Sequence, residues 1–147
     1  MYLPDSNVLI LAFKNHEPEA TFLRHQLIKR SLAISVIVVA EFLVGANEEQ
    51  KKKLDSLLRE FPALEINEKV ARAAAEYRRQ FLRKTKKVFM MDCFLAAQAK
   101  IHNLTLVTNN KSDFPMRDIK IVDLALTSYT RSFSREEIKS WQEEDKI

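Results

Sequence analysis

The chain has 147 residues, 46% hydrophobic and 30% charged, with a net charge of +4. That is the composition of one globular domain with a real core, and no apolar run approaches the roughly 18–20 residues that cross a membrane. One cysteine excludes an internal disulfide, three histidines without ligand spacing exclude a zinc centre, and one glycine excludes a Walker A loop, a GxGxxG fingerprint and a GxSxG elbow.

The order of elements follows from periodicity and punctuation. Residues 2–4 form a short apolar lead, read as a first strand, and Asp5-Ser6-Asn7 opens a helix over 6–13. After a polar break at 14–17, Pro18 suits the first position of a second helix. Ala20, Leu23 and Leu27 give that helix its apolar stripe, and Lys29-Arg30 ends it. Residues 32–34 are a second strand, and Ser35 caps a third helix over 36–46, closed by Gly45. Leu54, Leu57, Leu58 and Phe61 mark a fourth helix, with Lys51-Lys52-Lys53 at its polar start and Pro62 at its end. Residues 63–66 are a third strand. Asn67 caps a long helix reaching about Lys84, with Val70, Ala74, Tyr77 and Phe81 on its apolar face. A basic link over 84–87 leads to a helix over 90–102. Residues 104–108 and 119–122 complete the strands, with a polar loop over 109–117 between them.

Helices between strands require crossovers, so the expected fold is α/β, a mainly parallel sheet between helical layers; if its order is 3-2-1-4-5, strands one and four are neighbours at the switch point. In such sheets ligands bind at the carboxyl edge, where the order reverses. Asp5 leaves strand one at that edge. Glu41 is the only polar side chain in VIVVAEFLV, on a helix that starts at the same edge, and it is expected on the core-facing side. Asp92 lies in the first turn of its helix, and Asn110 and Asp113 follow strand four. The alternative for Glu41 is a structural ion pair with a distant arginine. For Asp92 it is a helix-start aspartate that only complements the dipole. Cys93 reads as buried filler.

Several carboxylates at one edge repel one another, and an oxygen-rich cluster without cysteine or histidine suits Mg²⁺ or Mn²⁺. An anionic metal site in a basic protein points to a phosphodiester substrate. Residues 127–147 differ in character. Ser134-Arg135-Glu136-Glu137 is a capping box opening a short helix with Ile138 and Trp141. The expected division is therefore a catalytic domain over 1–126 and a C-terminal helical extension over 127–147.

Four segments, DSNVLI, SVIVVAEFLVGA, MDCFLAAQAK and LTLVTNNKSDF, together resemble the PIN-domain ribonucleases, and among them the VapC-type toxins of toxin–antitoxin pairs. The likeness spans roughly residues 1 to 124. It implies a PIN-like three-layer α/β/α fold and a metal-dependent endoribonuclease in which water attacks phosphorus, leaving a 5′-phosphate and a 3′-hydroxyl. Asp5, Glu41, Asp92 and Asp113 match the family's acids. Asp5, Asp92, Asp113 and Asn110 are the implied Mg²⁺ or Mn²⁺ ligands. Asn110 stands in a slot that is acidic in other members, and Ser6, beside Asn7, stands where threonine is usual. The VFMMD approach to Asp92 is more apolar than the family's polar-proline approach. The resemblance also implies a homodimer and a cognate antitoxin covering the groove. Lys51, Lys52, Lys53, Arg79, Arg83, Lys86 and Lys87 are candidate RNA contacts. A toxin acting on RNA in the cytoplasm, with tRNA and rRNA as its candidate substrates, is the leading reading. Its alternatives are a housekeeping RNA-processing nuclease and a catalytically silent RNA-binding module.

Overall fold

A computed structural model describes residues 1–82 and 88–125. The elements are β1 (Tyr2–Pro4), α1 (Ser6–Phe13), α2 (Glu19–Lys29), α3 (Val36–Gly45), α4 (Glu48–Glu60), α5 (Glu68–Gln80), α6 (Met90–Ile101), β2 (Thr105–Thr108), one 3₁₀ turn (Lys111–Asp113) and β3 (Lys120–Asp123). The expected extension over 127–147 and the end of α5 near Lys84 lie outside the described residues; the described part of α5 stops at Gln80 and is capped by Phe81.

The three strands are parallel in the order β1-β2-β3, with Leu3 opposite Leu106 and Leu106 opposite Ile121. Segments 32–34 and 63–66, expected as strands, are reduced to single parallel bridges, Tyr2–Leu32 and Ser35–Leu64. They still lie on the outer side of β1 in a sequence consistent with 3-2-1-4-5. Each is only a few residues long and runs at once into a helix cap, which leaves no length for a ladder. Their backbone groups are nonetheless satisfied. The Ala33 N–H donates to Tyr2 O at 2.8 Å and the Leu64 N–H to Ile34 O at 2.7 Å. On the far side of that edge, the buried Gln98 amide of α6 donates to Leu64 O at 3.1 Å.

Strand alternation divides the interior. Leu3, Leu106 and Ile121 face the main core, which Val38 and Phe42 of α3, Leu54 of α4, Val70 and Ala74 of α5 and Leu95 and Ala96 of α6 complete. Tyr2, Val107 and Val122 point to the opposite face and pack with Val8, Phe22 and Leu124. The Tyr2 and Phe22 rings meet edge-on at 5.7 Å. Both faces of the sheet are thus covered by helices, as parallel sheets require.

Polar caps set the helix starts. Asp5, Ser35, Asn47 and Asn67 each accept an N–H from the first turn of α1, α3, α4 and α5. At α4 Asn47 and Gln50 form a full capping box, so this helix starts before the lysine run rather than on it. Pro18 is the residue before α2, one position earlier than expected. Gly45 ends α3 inside the helix with no positive φ, and the extended Ala46 caps it. The left-handed C-cap expected of that glycine is used instead at Arg30, φ 50°, after α2.

Candidate active site

Asp5 is fixed from three sides. Its N–H donates to Val107 O at 2.8 Å, tying the end of β1 to β2. Its Oδ1 accepts the Val8 N–H at 3.2 Å, the N-cap bond of α1. Its Oδ2 accepts the Thr108 hydroxyl at 2.6 Å. Burial pushes its pKa up, and Glu41's charge pushes the same way. The bonds from Thr108, Val8 and Asn7 pull it back without cancelling the rise. Thr108 is itself fully buried, and its Oγ1 accepts the Asn110 N–H at 3.0 Å. One hydroxyl therefore couples the end of β1 to the loop after β2.

Glu41 reaches this edge from α3. Ser6 Oγ donates to its Oε2 at 3.2 Å, linking α1 to α3. The expectation that Glu41 faces the core is corrected: Val38 and Phe42 are the buried residues of α3, and Glu41 is exposed. Apolar neighbours in sequence misled here, because Val44 is itself 90% exposed. Asn7 contributes its backbone N–H to Asp5, while its side chain is exposed.

Asp92 sits in the first turn of α6, partly buried, with its pKa raised to about 6. Burial is the main cause, followed by the charges of Asp113, Glu41 and Asp5. Four acids from four segments therefore share one electrostatic neighbourhood. The 3₁₀ turn brings the last of them. Asp113 N–H donates to Asn110 O at 3.1 Å. The Asn110 amide oxygen accepts from Ser112 at 2.6 Å, so it is engaged within its own loop. Asp123 anchors that loop from β3, accepting the Lys111 N–H at 3.1 Å and the Ala125 N–H at 2.9 Å.

Thr108 and Asp123 were not singled out from the sequence. A threonine ending the strand beside Asp5 was the available signal for the first. For the second, the signal was an acid ending the next strand, opposite Thr108 in register. Neither carries a local motif. Asn109, between Thr108 and Asn110, buries its amide oxygen with no hydrogen-bond partner among the described residues. Cys93 is buried with its thiol pKa raised, chiefly by burial, which fits a packing role.

The donors at this edge are oxygens alone, which suits a hard divalent cation. Among the described residues, no three carboxylate, histidine or cysteine side chains stand together as a ready cation cage. The residue chemistry fits a divalent cation.

Of the candidate nucleic-acid contacts, Lys51 pairs with Glu48 at 3.2 Å, Lys53 with Glu49 at 3.5 Å, and Arg79 with Glu76 at 4.0 Å. Exposed pairs of this kind are weak and leave the cations available to a polyanion. Lys52 is exposed. Arg83, Lys86 and Lys87 lie outside the described residues. Among the described residues, no helix is long and apolar enough to cross a membrane.

The PIN domain family model matches residues 2–120. The ribonuclease VapC10 of Mycobacterium tuberculosis is 31% identical over 116 residues, covering 79% of this chain and 87% of its own length. The crystal structure of FitAcB from Neisseria gonorrhoeae superposes with a TM-score of 0.72 at 28% identity, over 86% of this chain and all of that one. A toxin–antitoxin complex from Klebsiella pneumoniae superposes at 0.68 with 26% identity, over 83% and 96%. The chain belongs to the PIN-domain family, in its VapC-type branch.

Proposed function

We propose that this chain is a metal-dependent endoribonuclease and the toxin of a toxin–antitoxin pair. One observation carries the catalytic reading: Asp5, Glu41, Asp92 and Asp113 come from four segments to the carboxyl edge of the sheet, where burial first, and the charges of the other three after it, raise the pKa of Asp92. Asp5, Asp92 and Asp113 would hold Mg²⁺ or Mn²⁺. When bound, the cation supplies Lewis acidity to a phosphoryl oxygen and makes water more acidic. Glu41, exposed and accepting a hydrogen bond from Ser6, would orient the attacking water and take its proton. Asn110 is engaged by Ser112, so Asp113 is the better fourth acid and Asn110 shapes the loop. The basic helix faces would hold the RNA backbone.

The Klebsiella likeness, a toxin–antitoxin complex, supports a cognate antitoxin that covers the groove. The named activity of the mycobacterial relative supports RNA as the substrate. A homodimer working in the cytoplasm completes the reading. The deciding experiment incubates purified protein with labelled RNAs, tRNA among them, with Mg²⁺, with Mn²⁺ and with EDTA. Cleavage is expected with metal and not with EDTA. Metal-independent cleavage overturns the metal dependence; no cleavage on any RNA overturns the catalytic reading and leaves a silent binding module.

Thr108→Val should act through Asp5. The isostere removes the donor to Asp5 Oδ2 and the acceptor for the Asn110 N–H. Losing such an orienting group lowers metal affinity or activity by roughly 10–100-fold. Cleavage against Mn²⁺ concentration should show a higher metal requirement. An unchanged requirement would mean that Asp5 does not depend on Thr108.

A further inference from the structure

Residues 88–92 read VFMMD, and here the chain breaks two local rules at once. Four of the six described α-helices start on an oxygen side chain that accepts a free N–H; α2 starts on Pro18 and α6 on Phe89, neither of which makes a side-chain cap. Phe89 is also 63% exposed, and Met90 and Met91 beside it are 37% and 42% exposed. A residue that neither caps nor packs, next to a site, is where function overrides stability.

Its position is set by the helix. Phe89 O accepts the Cys93 N–H at 3.1 Å, so Phe89 is the N-cap and Asp92 the third helical residue. Side chains at these two positions face one another across the first turn. The aromatic ring therefore stands within one helical turn of the acid cluster. A flat apolar surface there would lie beside a phosphodiester held at Asp92. In sequence, Arg83, Lys84, Lys86 and Lys87 come just before it. Cations followed in sequence by an aromatic suit an unpaired nucleic-acid strand, whose backbone takes charge and whose base takes a ring.

We infer that Phe89 is a stacking platform for an unpaired base of the RNA substrate next to the scissile phosphate, flanked by Met90 and Met91. This rests on the nuclease reading above and narrows it to single-stranded or looped RNA. Base pairing would hide the face that the ring needs.

The test compares wild type, Phe89→Ala and Phe89→Tyr. Cleavage of a short single-stranded RNA is measured with Mn²⁺. Stacking is read separately on an Asp5→Asn background, by quenching of a 2-aminopurine placed beside the cleavage site, or at each position in turn if none is cut. Phe89→Ala is expected to raise KM roughly 10- to 100-fold with kcat little changed, and to lose the quenching; Phe89→Tyr should restore both. Unchanged KM and quenching in Phe89→Ala, with wild type active, overturn the platform and leave the nuclease standing. A change in sedimentation caused by Phe89→Ala overturns it too, since the ring would then seat on a second copy. If wild type cleaves nothing, the nuclease reading fails and the quenching alone decides the platform.

Discussion

Asp5→Asn is expected to lower cleavage on the order of 10³–10⁴-fold while leaving the fold intact, the scale of loss when an essential charged group becomes neutral. The substitution is informative because asparagine keeps nearly everything structural that Asp5 does. It is as good an N-cap, so the bond from the Val8 N–H to the side chain survives. With its oxygen on Val8, its amide nitrogen faces Thr108 Oγ1, and the 2.6 Å contact persists with donor and acceptor exchanged. The backbone bond to Val107 does not involve the side chain. What disappears is one negative charge, partly buried and close to Glu41. Thermal melting should move little, since losing an unfavourable charge offsets weaker bonds to a neutral acceptor. Steady-state cleavage and a melt of the same preparation settle it. A folded variant with full activity removes Asp5 from the chemistry and with it the proposed site.

Much of this was legible before the structure because it was local. Ser35 and Asn67 are short polar residues just ahead of apolar periodic runs, and both cap the helices expected of them; Asp5, expected only at the end of the first strand, also caps the helix that follows. The parallel sheet followed from helices lying between strands. What escaped depended on distance in sequence. Thr108 meets Asp5 across 103 positions, and Asp123 meets the Lys111 N–H across 12. No window along the chain holds both partners. Glu41 failed for another reason. Apolar neighbours along a short helix do not say which side is buried when one end, at Val44, projects into solvent. The segments 32–34 and 63–66 have strand-like composition, but ladder length is set by where the next helix cap falls. Asn110 and Asp113 were both open as the fourth site residue. The Ser112–Asn110 bond and the charge of Asp113 on Asp92 now weigh toward Asp113.

Asp92→Asn carries the second large effect, with opposite signs in activity and stability. Cleavage should fall on the order of 10³-fold, because the variant loses the charge that would hold the cation. The metal-free protein should become more stable near neutral pH. Asp92's pKa rises from an ordinary 3.8 to about 6, through burial first and the charges of Asp113, Glu41 and Asp5 after it. The native state therefore binds more protons than the unfolded chain between those values. Stability falls as pH rises from about 4 through about 6, and the whole penalty is present above that. Asp92 is only partly buried, and solvent screening reduces the penalty to about 1 kcal/mol. Removing it should raise the melting temperature by about 2–4 °C at pH 7.5 and little at about pH 3, below both pKa values, where Asp92 is largely neutral in both states. Adding Mn²⁺ should then raise wild type more than the variant, because binding to the native state alone stabilises it. Equal melting at pH 7.5 without metal would show that the acids do not strain one another. Equal stabilisation by Mn²⁺ would show that the cation binds without Asp92. Together the two melts separate charge repulsion from metal ligation, which a loss of cleavage alone cannot do.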